Sequence, residues 1–185
     1  MKMKNTTKLI ATAVVVVIAL FNTKAHAQAV PLGQVKFDVG LEGGAPTYDA
    51  RQLSNVMGGA TGRFQVGLGD YLTVIATSGF YNFFDKTSTI NGVSVKEPGL
   101  GVVPVKLGLK GYLGNSGLYL TGEVGKGFET SKDGETGNYD DKNILSAGLG
   151  YVSHNWDYGV RYESLTGDEF NYGIIALRVA YGFKL

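Results

Sequence analysis

Residues 144–165 read ILSAGLGYVSHNWDYGVRYESL, and the alternation in this stretch decides the fold. Leu145, Ala147, Leu149 and Tyr151 lie opposite Ser146, Gly148 and Gly150. Beyond His154 and Asn155, the residues Trp156, Tyr158, Val160 and Tyr162 lie opposite Asp157, Gly159, Arg161 and Glu163. A period of two belongs to strands with unlike faces. A polar break of two residues between two such strands is a hairpin turn.

The same rhythm runs outward in both directions. Toward the C-terminus, Tyr172 to Phe183 sets Ile175, Leu177, Val179, Tyr181 and Phe183 against Ala176, Arg178, Ala180 and Gly182. Toward the N-terminus, Leu118 to Phe128 sets Leu118, Leu120 and Val124 against Tyr119, Thr121, Glu123 and Gly125. Val102 to Tyr112 sets Val103, Val105, Leu107 and Leu109 against Lys106, Gly108 and Lys110. Tyr71 to Tyr81 is less clear-cut, with Leu72, Val74, Ala76 and Phe80 alternating with Thr73, Ile75, Thr77 and Gly79. Gly62 to Gly69 opposes Phe64, Val66 and Leu68 to Arg63, Gln65 and Gly67. Gln34 to Gly43 opposes Val35, Phe37, Val39 and Leu41 to Lys36, Asp38, Gly40 and Glu42.

Eight segments result, and their connections alternate in length. Gly69-Asp70, Gly114-Asn115-Ser116-Gly117 and His154-Asn155 are tight turns, whereas 45–60, 82–101, 129–143 and 166–171 are long and polar or glycine-rich. An even-stranded antiparallel up-and-down barrel has this rhythm, with every short turn at one end and every long loop at the other.

Alternation alone does not say which face is outside. Three features select a transmembrane β-barrel over a soluble one. Segments near ten residues match the ~9–11 needed to cross a bilayer at a ~45° tilt. The polar face mixes charges with Gly40, Gly67, Gly108, Gly125, Gly148, Gly150, Gly159 and Gly182, which make room inside a narrow barrel. Aromatic residues also crowd the strand ends, as bilayer girdles require. Tyr71, Tyr112, Tyr151, Trp156, Tyr158 and Phe183 lie near the short turns. Phe80, Tyr81, Phe83, Phe84, Phe128, Tyr162, Phe170 and Tyr172 lie near the long loops.

Residues 1–27 read as a cleaved secretory signal peptide. Met1 to Lys8 carries three lysines and no acid, and Leu9 to Phe21 is apolar apart from Thr12. At ~1.5 Å per residue that run is roughly 20 Å long, short of a ~30 Å hydrocarbon core. Ala25-His26-Ala27 supplies the small–x–small pattern of a cleavage site, which puts the scissile bond between Ala27 and Gln28 and the mature barrel domain at 28–185.

The leader also distorts the composition. It holds Lys2, Lys4, Lys8 and Lys24, so 17 basic residues fall to 13 against 16 acidic, a net of −3 in the mature chain. That balance offers no surface for nucleic acid. With no cysteine, disulfide frameworks, thiolate metal sites and thiol nucleophiles are excluded.

On these features, ending in the strand Ala176-Leu177-Arg178-Val179-Ala180-Tyr181-Gly182-Phe183, the chain resembles the small outer-membrane β-barrels of Gram-negative bacteria, with the OmpA-type and opacity-type barrels as relatives. The resemblance covers the mature chain and rests on architecture. It implies an outer-membrane location among lipid and lipopolysaccharide, a monomer, and recognition of the last strand by the barrel-insertion machinery. In the family that strand usually ends in an aromatic residue; here Lys184 and Leu185 follow Phe183.

An eight-stranded barrel has a lumen filled by side chains. The inward charges are Lys36, Arg63, Lys106, Lys110, Arg161 and Arg178 against Asp38, Glu42, Glu123, Asp157 and Glu163, six against five. Buried charges persist when paired, so a structural network is expected. Catalytic, cofactor and metal motifs are not evident. His154, the one histidine of the mature chain, has Ser153 beside it but sits in a tight turn. The loop ETSKDGETGNYDDKN (129–143) is acidic without the spacing of an EF-hand. Pro104 implies either a bulge or strand pairing that begins after it. The functional expectation is a structural or interaction role through four exposed loops. A small pore or transporter and a lipid-modifying enzyme are the alternatives.

N-terminal sequencing of membrane-extracted protein is expected to start at Gln28. A chain beginning at Met1 would refute the cleavage site.

Overall fold

The computed structural model describes residues 30–48, 54–84, 87–90, 93–96, 100–131, 141–167 and 171–185. Ten strands are present among them: β1 (Val35–Tyr48), β2 (Met57–Gly67), β3 (Leu72–Phe83), β4 (Thr87–Ile90), β5 (Val93–Lys96), β6 (Leu100–Tyr112), β7 (Leu118–Ser131), β8 (Asp141–Ser153), β9 (Trp156–Thr166) and β10 (Tyr172–Lys184). Eight of them close into a barrel in the order β1-β10-β9-β8-β7-β6-β3-β2, and β4 and β5 form a separate hairpin between β3 and β6. Every neighbouring pair in the barrel is antiparallel. The seam runs from Lys36 opposite Lys184 to Tyr48 opposite Tyr172, so first and last strands leave no open edge.

Polarity is inverted relative to a soluble barrel. Leu41, Leu107, Val124, Leu145 and Leu177 stand on the outer surface at 58–72% exposure. Meanwhile Lys110, Gln65, Thr73 and Glu163 are fully enclosed. Water on that outer face would be unfavourable over its whole circumference, and hydrocarbon is the solvent that suits it. The fold is an eight-stranded antiparallel up-and-down transmembrane barrel, as the alternation predicts.

Several details depart from the sequence reading. The strands run further toward the long-loop end: β1 continues to Tyr48, β7 to Ser131, and β8 starts at Asp141. At 14 residues and ~3.3 Å each, β1 is roughly 46 Å long, about 35 Å in height at a ~40° tilt. An outward apolar band is ~25 Å tall, so the wall projects beyond it. The segment 82–101, read as loop, contains the β4–β5 hairpin.

The aromatic belts are also thinner than expected. Tyr81, Phe83, Tyr112 and Tyr172 are buried in the barrel, because strand parity turns them inward with the charges. Tyr151 keeps its outward parity yet is also buried. Phe80, Phe84, Phe128 and Tyr162 remain exposed near the long-loop end, and Tyr71, Trp156, Tyr181 and Phe183 near the short turns. Phe170 lies outside the described residues.

Pro104 fits neither expectation. It pairs with Gly127 in an unshifted ladder on the β7 side. On the β3 side, Ser78–Val105 and Tyr81–Val102 keep one register, and pairing lapses only between them. The missing N–H therefore interrupts one ladder locally without a bulge. Pro46 avoids even that conflict: β1 pairs with β2 only as far as Gly44, but with β10 through Tyr48.

The faces predict opposite sensitivities at adjacent positions. Leu107→Arg puts a charge against lipid near mid-bilayer and is expected to cost roughly 2–4 kcal/mol. Gly108 faces inward, where an added Cβ would collide with the Gly122 carbonyl oxygen and lie 2.7 Å from Glu123 Cγ. Gly108→Val should therefore prevent closure. Urea unfolding in lipid vesicles checks both, and an unchanged Leu107→Arg stability would reverse the assigned faces.

Candidate functional site

The distinctive chemistry of this chain is inside the barrel, where every second residue of eight strands points at one axis. Three layers follow. Near the long-loop end, Met57, Tyr81, Phe83, Val102, Ile144, Leu165, Tyr172, Ile174 and Ala176 pack into an apolar plug. Tyr172 meets Phe83 edge-on at 5.7 Å between ring centroids, and its hydroxyl donates to Glu129 at 3.0 Å. Near the short turns, Tyr112, Tyr119 and Val152 form a second, smaller plug.

Between the plugs lies a network that ties distant strands together. Lys106 Nζ of β6 sits 2.5 Å from Glu163 Oε2 of β9 and 3.8 Å from Glu123 of β7. Arg161 pairs with the same Glu163 oxygen at 3.0 Å and with Glu42 of β1. Arg63 of β2 donates to Glu123 Oε2 at 3.3 Å and to Thr77 Oγ1 at 3.0 Å. Arg178 of β10 pairs with Asp38, approaches Glu42 at 3.5 Å and donates to Thr61 at 3.1 Å. Lys110 reaches Asp157 at 2.6 Å and lies 3.9 Å from the centroid of the Tyr119 ring.

Neutral groups complete the shell. Thr77 donates to Glu123 at 2.5 Å and Thr61 to Glu42 at 2.8 Å, while Gln65 donates to Asp38 and Tyr119 to Asp157. The Tyr81 hydroxyl accepts from Lys106 at 3.1 Å and from Arg161 at 2.9 Å, joining the charged layer to the apolar plug above it.

Of the eleven charges read from the sequence, ten are 6% exposed or less, and the structure brings these ten into contact. Five are cations and five are anions. The eleventh, Lys36, is only half-buried at the short-turn end. Reading the strands as shorter hid two more inward charges, Lys142 on β8 and Glu129 on β7. Tyr81, Tyr119, Gln65, Thr61 and Thr77 were also missed as network members. Their parity with Arg63, Thr73 and Glu123 was the available signal.

Among the described residues, no group of three or more His, Cys, Asp or Glu is placed to hold a metal. Ser153 Oγ and His154 Nδ1 are 3.3 Å apart, but both belong to the exposed end of the β8–β9 turn. His154 adopts φ 56°, the left-handed conformation that the tight turn imposes. Most of the acidic loop, 132–140, lies outside the described residues, as do Asp168 and Glu169.

Solved structures share this architecture. Ail, the attachment invasion locus protein of Yersinia pestis, superposes with a TM-score of 0.59 at 18% identity, covering 82% of this chain and 99% of its own. The fold is that of the small eight-stranded outer-membrane barrels. The N-terminal barrel domain of Pseudomonas aeruginosa OprF follows at TM-score 0.53 and 16% identity, covering 79% of this chain and 97% of its own. Neisserial surface protein A gives 0.51 at 13% identity, with coverages of 80% and 97%. One structure of Ail holds the heparin analogue sucrose octasulfate. No protein-family profile matches the chain, and no curated protein matches it either. At these identities the likeness is one of backbone architecture, so the composition of the lumen has to be read from this chain.

Breaking one buried pair should expose how tightly the network is balanced. Lys110→Met strands Asp157 and is expected to destabilise the barrel by about 3–5 kcal/mol. The double variant Lys110→Met/Asp157→Asn should recover a large part of that loss. A double-mutant cycle from equilibrium unfolding in lipid vesicles measures the coupling, and additive losses would contradict it.

Proposed function

We propose that residues 1–27 direct export and are removed after Ala27, and that residues 28–185 lodge in the outer membrane of a Gram-negative envelope as a monomer. There the barrel is a closed-lumen scaffold, and it meets partners through four loops on the cell exterior. One observation carries this reading: a paired charged layer sits between two apolar plugs. A solute crossing such a lumen would have to displace enclosed ion pairs and two layers of packed side chains. Desolvated pairs resist that kind of opening, because an uncompensated charge is left behind.

Catalysis has little support in this arrangement. The carboxylates of the lumen are engaged with arginine, lysine and hydroxyl groups, and the Ser153–His154 pair belongs to a turn placed on the periplasmic side. A deacylase acting on the outer leaflet needs its nucleophile at the opposite rim.

That leaves the loops. Between β7 and β8 and between β9 and β10 the sequence carries Asp133, Glu135, Asp140, Asp168 and Glu169 against Lys132, and the exposed Asp141 opens β8. Such a rim favours cationic partners or divalent ions, in a salt-dependent way. Its charge is opposite to what a polyanion like the sulfated sugar bound to Ail would seek. Lipid and lipopolysaccharide then surround the outward apolar face, and the β10 strand is the segment offered to the insertion machinery.

In planar bilayers the reconstituted barrel should show no sustained open-channel conductance. An epitope inserted after Gly134 should stain on intact cells, and one between His154 and Asn155 only after permeabilisation. Steady conductance would favour a pore, and the reverse staining pattern would invert the orientation.

A further inference from the structure

A partly open cavity of about 20 Å³ lies within the charged layer, and its lining is unbalanced. Arg63 of β2, Arg161 of β9 and Arg178 of β10 border it, together with Tyr119 and Thr121 of β7, Gly159 of β9 and the wall residues Leu149 and Val160. Three guanidinium side chains and two hydroxyl-bearing ones therefore share one small space, with no carboxylate in its lining. The acids that partner these arginines lie elsewhere: Glu123 takes Arg63, Glu163 and Glu42 take Arg161, and Asp38 and Glu42 take Arg178.

Arg178 carries the decisive detail. Its Nε and Nη2 are engaged with Thr61, Glu42 and Asp38, whereas Nη1 is buried with no hydrogen-bond partner in a residue only 4% exposed. Buried charged donors left in that condition are strongly unfavourable, so the site is built to receive an acceptor.

Charge and size narrow the acceptor. The ten enclosed charges of the layer balance five to five, but the cavity lining itself presents three guanidinium groups and no carboxylate, so an anion suits it. A space near 20 Å³ takes a single water-sized or monatomic occupant, since about 10–15 Å³ already suffices for one water. Phosphate, sulfate and carboxylate are too large.

We propose that this cavity is a halide site, occupied by chloride held between Arg63, Arg161 and Arg178. Apolar plugs lie above and below the layer, so the ion sits among the arginines rather than in bulk solvent.

The test begins by refolding the barrel from urea into detergent in sodium bromide, with a parallel sample in sodium gluconate, whose anion cannot fit. Crystals from bromide should show an anomalous bromine peak within hydrogen-bond distance of Arg178 Nη1. Thermal unfolding should occur at a higher temperature in bromide or chloride than in gluconate at equal ionic strength. Thr121→Asp supplies a fixed carboxylate to the same arginines and should abolish both the peak and the anion dependence. A cavity without an anomalous peak, holding a water only, overturns the proposal. The wild-type diffraction arm decides the matter even if Thr121→Asp does not fold.

Discussion

A backbone that crosses hydrocarbon has no water to satisfy its amides, so each N–H and C=O must find a partner within the protein. The ladder between β1 and β10, from Lys36–Lys184 to Tyr48–Tyr172, meets that demand by removing the last free edge. Other features follow from closure. Eight strands make a narrow lumen that side chains can fill, and the period of two then divides every strand between lipid and axis. Pro104 shows the limit of the constraint. One ladder lapses for two pairs beside it, while the opposite ladder and the register hold.

Closure also explains why the interior is charged. Inward positions on different strands converge, so a lysine on β6 can meet a glutamate on β9 that is 57 residues away in sequence. Such pairs gain little net stability over a well-packed apolar core, because desolvating both ions offsets much of their attraction. Their use is specificity: a register slip of one residue would carry Lys106, Glu123 and Arg161 into lipid while moving Leu107 and Val124 into the lumen. The network and the outer apolar face thus enforce the same alignment from opposite sides. The tyrosines extend this logic at the ends of the layer. Tyr81 presents its ring to the upper plug and its hydroxyl to Lys106 and Arg161, and Tyr119 does the same below for Asp157.

The comparison structures share the scaffold at 13–18% identity, which is what geometric constraint alone would leave in common. Alternation, strand number and short turns are demanded by the bilayer and can be met by many sequences. Loops and lumen residues are not so demanded, and function resides where sequence is free to differ.

By itself the sequence determined the number of barrel strands, their inward and outward faces, the short turns and ten of the charges at the axis. Each of these depends on local period or on turn chemistry, both of which act within a few residues. Only the tertiary structure decided which charges meet. Lys106 could have paired with any nearby acid until closure set the relative heights of β6, β7 and β9. Strand ends were likewise decided by pairing: residues near Pro46 and Lys142 lack a clean alternation, and ladders to β10 and β7 carry them into the wall. The inward turn of Tyr81, Tyr112 and Tyr172 belongs here too, because an aromatic residue near a strand end suits either a headgroup or a plug. Side-chain chemistry is compatible with both places, and the parity of the closed barrel chooses between them.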